Sequence, residues 1–172
     1  MSTGLQIGAM LRCLLVGNCL LAVVLSGCSN RSDPQAAIAR VNETNLQRLA
    51  NLYFTFQSKQ NWRGPADEAE FKAFLRSYNP AKLSRIGIDP NKLDDLFLSE
   101  RDGEPFKIRY GVPGSAMGST EPVVFETTGV GGTRLVGFLN MEQREVDAAE
   151  YDALWSADPM PAAPRTANPA AR

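Results

Sequence analysis

At 172 residues the chain has room for one domain built around one core. Its 18 Lys+Arg against 19 Asp+Glu give a formal net charge of −1, without the clustered basic face that nucleic-acid binding requires. It has no histidine, which excludes Ser–His–Asp and Cys–His nucleophilic catalysis, because both use imidazole as the base.

The first residues read as a three-part secretory leader. Arg12 is the only charge before position 31, and Cys13 to Leu25 is apolar apart from Asn18. That run is too short to span a bilayer, which takes about 20 apolar residues. Ser26 and Gly27 are the small residues a signal peptidase accepts before its cut, and Cys28 follows them. The tetrad Leu25-Ser26-Gly27-Cys28 resembles the lipobox of bacterial lipoproteins. The resemblance implies cleavage before Cys28 and attachment of diacylglycerol to its sulfur, so that Cys28 heads the mature protein. It also implies, through Ser29 rather than an aspartate at the next position, an outer-membrane destination. An ordinary secretory leader cut nearby and an uncleaved anchor are the readings the residues leave open.

Cleavage there would remove Arg12, Cys13 and Cys19, leaving 17 basic against 19 acidic residues and a single cysteine whose sulfur carries lipid. No intramolecular disulfide is then expected, nor a zinc, copper or iron–sulfur site on Cys or His ligands. No cofactor or metal is expected. Carboxylate, hydroxyl, lysine and backbone chemistry remain.

We expect a leader over 1–27, a polar tether over 28–35, one α+β domain over 36–156 and a disordered tail over 157–172. The tail holds four prolines and almost no large apolar residue, too little to offset its ordering entropy. Within the domain, Leu46, Leu49, Tyr53 and Phe56 recur at helical spacing, with Ile38 and Val41 upstream, and predict one amphipathic helix over 36–59. Its apolar stripe suits either packing on the domain's own sheet or a partner helix; we expect the first. Asp67 and Glu70 have capping-box spacing and open a second helix whose buried face is Phe71, Phe74 and Leu75. Asp89-Pro90 predicts a short helix running to about Asp95.

Leu96–Glu100 and Pro105–Gly111 flank Asp102-Gly103, which predicts a β-hairpin with a type I′ turn. A second hairpin is expected from Val123–Thr127 and Arg134–Asn140, turning through 128–133. Asp147 and Glu150 then open a short C-terminal helix with Tyr151, Leu154 and Trp155 on its apolar side. The expected fold is α+β: an N-terminal amphipathic helix packed on a small antiparallel sheet of two β-hairpins, with a short C-terminal helix.

Three features invite a functional reading. The stretch Gly129-Val130-Gly131-Gly132-Thr133 is glycine-rich, but it lacks the Gly-Lys-Ser/Thr of a P-loop and leads into a strand rather than a helix, so a hairpin turn is expected. Glu100, Asp102 and Glu104 could form a carboxylate cluster for a hard cation or for acid–base chemistry, although no calcium-loop spacing is met. Trp62 and Trp155 could line a groove, yet both are expected to pack on the core. The basic run Arg76, Lys82, Arg85 and Lys92 is interleaved with Asp89, Asp94 and Asp95 and reads as a solvated face.

Leu96 to Gly111, with Asn45 to Ala50 and Gly64 to Phe71, is similar to small lipoproteins of planctomycete-type bacteria, a likeness that brings no activity and no site residues. The long helix followed by Asp102-Gly103-Glu104-Pro105-Phe106 also resembles the soluble part of type II secretion pseudopilins. Those proteins begin with a processed phenylalanine and a long apolar helix, where this chain has Cys28 and its leader. These features point to a lipid-anchored cell-envelope protein on the outer membrane or the periplasmic face, acting as a non-enzymatic interaction or structural module. Its partners would be the membrane, through Cys28, and an envelope protein, with no nucleic acid. The alternatives are a pseudopilin-like accessory of a secretion machine and a carboxylate-dependent cell-wall hydrolase using Glu100, Asp102 and Glu104.

Overall fold

A computed structural model describes residues 38–159. The expected leader, Cys28, the tether and most of the expected tail lie outside the described residues. Residues 38–40 form one helical turn, and helix α1 (Asn45–Lys59) follows. The single helix expected over 36–59 is therefore broken, and Asn42 breaks it. Its side-chain amide donates to Ile38 O at 2.8 Å, while its own N–H turns to Ala39 O at 2.9 Å. The side chain has taken the carbonyl that a continuing helix would give to the backbone. Thr44 restarts the helix with a complete capping box: its hydroxyl accepts from Gln47 N–H, and the Gln47 side chain accepts from Thr44 N–H.

Leu46, Leu49, Ala50, Tyr53 and Phe56 of α1 are buried, as the helical spacing predicts. Helix α2 (Glu68–Ser77) lays Phe71 and Leu75 against them. Phe71 sits edge-on to Tyr53, Phe56 and Phe97, with ring centroids at 5.7, 6.4 and 6.1 Å. The Asp67 carboxylate caps this helix through Glu70 N–H at 2.8 Å, but the return arm is displaced. Glu70 accepts from Ala66 N–H and from the Arg63 guanidinium instead.

Helix α3 (Pro80–Arg85) is not anticipated by the sequence reading. Asn79 caps it through Ala81 and Lys82 N–H, and Pro80 occupies its first turn. The same signal at Asp89-Pro90 gives only a turn, closed by Asn91 N–H on the Asp89 carboxylate. A 3-10 helix begins later, at Leu93–Phe97. It takes up Leu96 and Phe97, so the first expected hairpin shrinks to a single Leu98–Pro105 bridge. Its turn is not type I′, which needs positive φ at both central residues. Gly103 alone of the pair has it, at +75°, and Asp102 instead bonds Glu104 N–H.

The sheet runs β1 (Lys107–Ile108), β2 (Pro122–Phe125), β3 (Arg134–Phe138) and β4 (Gln143–Val146), in that order and wholly antiparallel. The β2–β3 hairpin is the one expected. Strand β4 is not, because its polar sequence on a sheet edge carries no apolar alternation to read. One face of the sheet meets α1 so closely that a Cβ on Gly137 would lie 2.5 Å from Leu46 Cδ2. The other face carries a separate apolar cluster: Phe125, Val136, Phe138 and Val146 under Tyr151, Leu154 and Trp155 of helix α4 (Ala148–Ser156). Asp147 caps α4 through Glu150 N–H at 2.8 Å, while the Glu150 carboxylate bonds Arg144. Arg109 closes the other end by donating to the carbonyls of Leu154 and Ala157.

A buried polar node joins α1 to the segment leaving β1. Tyr53 Oη accepts from Val112 N–H at 3.1 Å, and Gln57 Nε2 donates to Val112 O at 2.9 Å. The loop after α1 joins in, with Gly111 N–H on Pro65 O and Gly114 N–H on Trp62 O. Side chains are excluded where these strands of chain cross. A Cβ on Gly64 would fall 2.4 Å from Val112 O and 2.5 Å from Tyr53 Oη.

Gly64→Ala should therefore destabilise the domain by about 1–3 kcal/mol, since the colliding atoms include a backbone carbonyl and the oxygen of a buried ring. Urea unfolding of the full chain would measure it. Glu70 sets a pH dependence. The hydrogen bonds from Arg63, and then that from Ala66 N–H, hold its carboxyl down at about 2 from an ordinary 4.5. A lowered folded-state pKa contributes stability above the ordinary value and loses it as pH falls through the folded one. The urea midpoint should drop between pH 4.5 and about 2, and Glu70→Gln should make that drop shallower.

Candidate functional site

The carboxylates at the first turn do not converge. Glu100 Oε1 accepts from Asn45 N–H at 2.7 Å, satisfying a free donor at the start of α1, and lies 3.4 Å from Arg48 Nη1. Asp102 faces the opposite way, accepting from Gly129 N–H at 2.7 Å and Glu104 N–H at 3.0 Å. Glu104 is exposed and joins the turn through its backbone carbonyl, which accepts from Ser99 N–H. Each acid has its own structural surroundings. No group of three His, Cys, Asp or Glu among the described residues could hold a metal ion.

Asp102 also answers the glycine-rich stretch. Gly129, Gly131 and Gly132 all have positive φ, and the turn is closed by a Val130–Thr133 bridge. The Gly129 N–H that an anion would need is already given to Asp102. Desolvation opposes the charge on Asp102, but the N–H groups of Glu104 and Gly129 and the Ser99 hydroxyl outweigh it and hold its carboxyl below the ordinary range.

The buried acid of this region is Glu126, which the sequence reading does not single out. It is 1% exposed and ends the apolar run of β2. Oε1 accepts from the Ser99 hydroxyl at 2.9 Å, Oε2 from Leu135 N–H at 2.7 Å, and Arg101 Nη1 stands 3.7 Å from Oε2. Arg101 bridges outward to Glu145 at 2.9 Å. Glu145 also takes the Thr133 hydroxyl, and this bond, followed by Arg101, lowers its pKa. Ser99 and Glu126 form a hydroxyl–carboxylate pair, but both are buried and the pair lacks the approach a substrate would need. Their chemistry is that of a clamp joining the Ser99–Gly103 turn to β2, β3 and β4. The available signal was a lone acid closing an apolar strand.

The tryptophans do not share a groove. Trp62 packs on Phe54 at 5.8 Å between ring centroids, beside the α1 core. Trp155 stacks edge-on to Phe125 at 5.1 Å in the other cluster, with Lys107 Nζ 3.5 Å from its centroid.

Concave surface lies instead between the incoming turn, α1 and α3. A cleft of about 370 Å³ is lined by Ile38, Asn42, Glu43, Arg48, Arg85 and Ile86, among others. A smaller hollow of about 190 Å³ continues from it past Ile38, Arg85 and Ile86 to Tyr78 and Lys82. Arg48 belongs to the framework of the cleft: it donates to Ile86 O, Glu43 O and Asn45 Oδ1. Lys82 and Arg85 have no acidic partner among the described residues. Folding separates charges that alternate along the sequence, since Asp94 pairs with Lys72 at 2.8 Å and Asp89 folds onto Asn91.

Glu126→Leu should cost about 3–5 kcal/mol, because it strands the Ser99 hydroxyl, the Leu135 N–H and part of the Arg101 charge. Ser99→Ala should cost about 1 kcal/mol. Chemical denaturation of both variants separates a clamp from a dispensable surface pair, for which Glu126→Leu would change stability by less than about 0.5 kcal/mol.

Among the described residues no helix is long and apolar enough to cross a membrane. Comparison with protein-family models, with curated proteins and with solved structures finds no match to this chain.

Proposed function

We propose that this chain is a lipid-anchored cell-envelope protein whose α+β domain acts as a non-enzymatic interaction or structural module. The observation that carries the reading is Leu25-Ser26-Gly27-Cys28 placed directly after the apolar run that ends the leader. Two or more acyl chains on Cys28 give stable membrane attachment, where one alone is marginal. The domain then needs no spanning segment of its own. The site geometry supports the non-enzymatic half of the reading: Glu100, Asp102 and Glu126 are each engaged in contacts that hold turns and helix ends together. The module presented is the α1 helix packed on the hairpin sheet.

Mass spectrometry of the natively expressed product tests this. The expected result is an N-terminal Cys28 carrying diacylglycerol, with Cys28→Ala moving the protein out of the detergent-extracted membrane fraction. An intact leader or a free Cys28 thiol on the native product would overturn it.

A further inference from the structure

We infer that the surface formed by Ile38, Lys82 and Arg85 lies against the anionic headgroups of the bilayer that holds the anchor. The inference rests on the lipid-anchor reading and gives the domain an orientation.

Nine residues lie between Cys28 and Ile38, so the two are at most about 35 Å apart even when the chain is fully extended. The anchor thus keeps the incoming turn within that distance of the membrane surface. Ile38 is 40% exposed, a large aliphatic side chain turned to the outside at the point where the chain arrives. Beside it, Arg85 lines both hollows, and Lys82 lines the second. Lys82 and Arg85 are three residues apart on α3 and so share one helix face. Arg40, in the same turn as Ile38, is exposed as well. Glu43 is the acid lining the first hollow, which it shares with Arg48 and Arg85. Cations without an acidic partner among the described residues, set around an exposed aliphatic residue, suit lipid phosphates above a shallow apolar boundary. A free phosphate would use the cations but not Ile38, and it would not require the tether.

The test uses the full lipidated protein reconstituted into two kinds of vesicle, phosphatidylcholine alone and phosphatidylcholine with phosphatidylglycerol. Acylation of each lysine by a water-soluble amine reagent is followed by peptide mass spectrometry, which also reports the lipid on Cys28. Lys82 should react at least about threefold more slowly on the anionic vesicles, with the difference removed near 0.5 M salt, where screening is strong. Lys107, on β1 and over Trp155 of the other cluster, should react alike on both. Arg85→Gln should abolish most of the Lys82 protection while leaving Lys107 unchanged.

Equal Lys82 rates on the two vesicles, with Cys28 lipidated, would overturn the orientation alone. Equal slowing of Lys82 and Lys107 would overturn it too, since adsorption would then have no preferred face. Protection of Lys82 in native membranes but not in pure lipid would assign the surface to a protein partner. Unlipidated Cys28 would instead remove the anchor reading and the orientation with it.

Discussion

The fold turns on the backbone of one residue, Val112. Its N–H is taken by the Tyr53 phenol and its carbonyl by the Gln57 amide, two buried side chains one turn apart on α1. Helix α1 can thus bond to an irregular segment as a neighbouring strand would, and the segment leaving β1 follows the helix instead of drifting away from it. A two-residue β1 could not hold that edge of the sheet by its own ladder. The arrangement carries a cost: Gln57 Oε1 is buried without a hydrogen-bond partner among the described residues, and burial pushes the Tyr53 phenol far above its ordinary pKa. Gly64 and Gly114 accompany it because a methyl group at either would enter the space the node fills.

Around that node the sheet is covered on both faces, by unlike means. The α1 side is a continuous apolar body that also includes α2 and the 3-10 helix, with Phe71 meeting three other rings. The α4 side is smaller, and it is edged by cations on aromatic faces, Lys107 over Trp155 and Arg134 over Tyr151. The Glu126 clamp lies at the end of the sheet between them. It lets a lone buried carboxylate tie the Ser99–Gly103 turn to β3.

Sequence and structure agree where a signal is local and unopposed. The buried stripe Leu46, Leu49, Tyr53 and Phe56, the caps at Asp67 and Asp147, and the β2–β3 hairpin all follow from spacing and cap chemistry. Disagreement arises where two local preferences compete. Asn42 has the right place in the pattern for a helix but the wrong side chain. Asn79-Pro80 and Asp89-Pro90 carry the same cap signal, yet Leu83, four residues after the first, is fully buried, whereas Leu93, four after the second, is only partly so. Leu96 and Phe97 alternate well enough for a strand, but burial against α1 is better served by a 3-10 turn. The site-level misses have a different origin. Glu100, Asp102 and Glu104 are adjacent in sequence but sit on a turn, where neighbouring side chains diverge, whereas Glu126, Arg101 and Glu145 are assembled across strands and have no linear signature.

The division of the interior into two apolar bodies gives each its own tryptophan: Trp62 beside the larger, Trp155 within the smaller. Proteins open in cooperative pieces, and the piece with least buried apolar contact opens first. Here that piece is α4, which can lift from β3 while α1 and the Val112 node stay closed. The indole at 155 would then leave Phe125 while the one at 62 keeps its place on Phe54, so a single-tryptophan version of the chain reports one layer at a time.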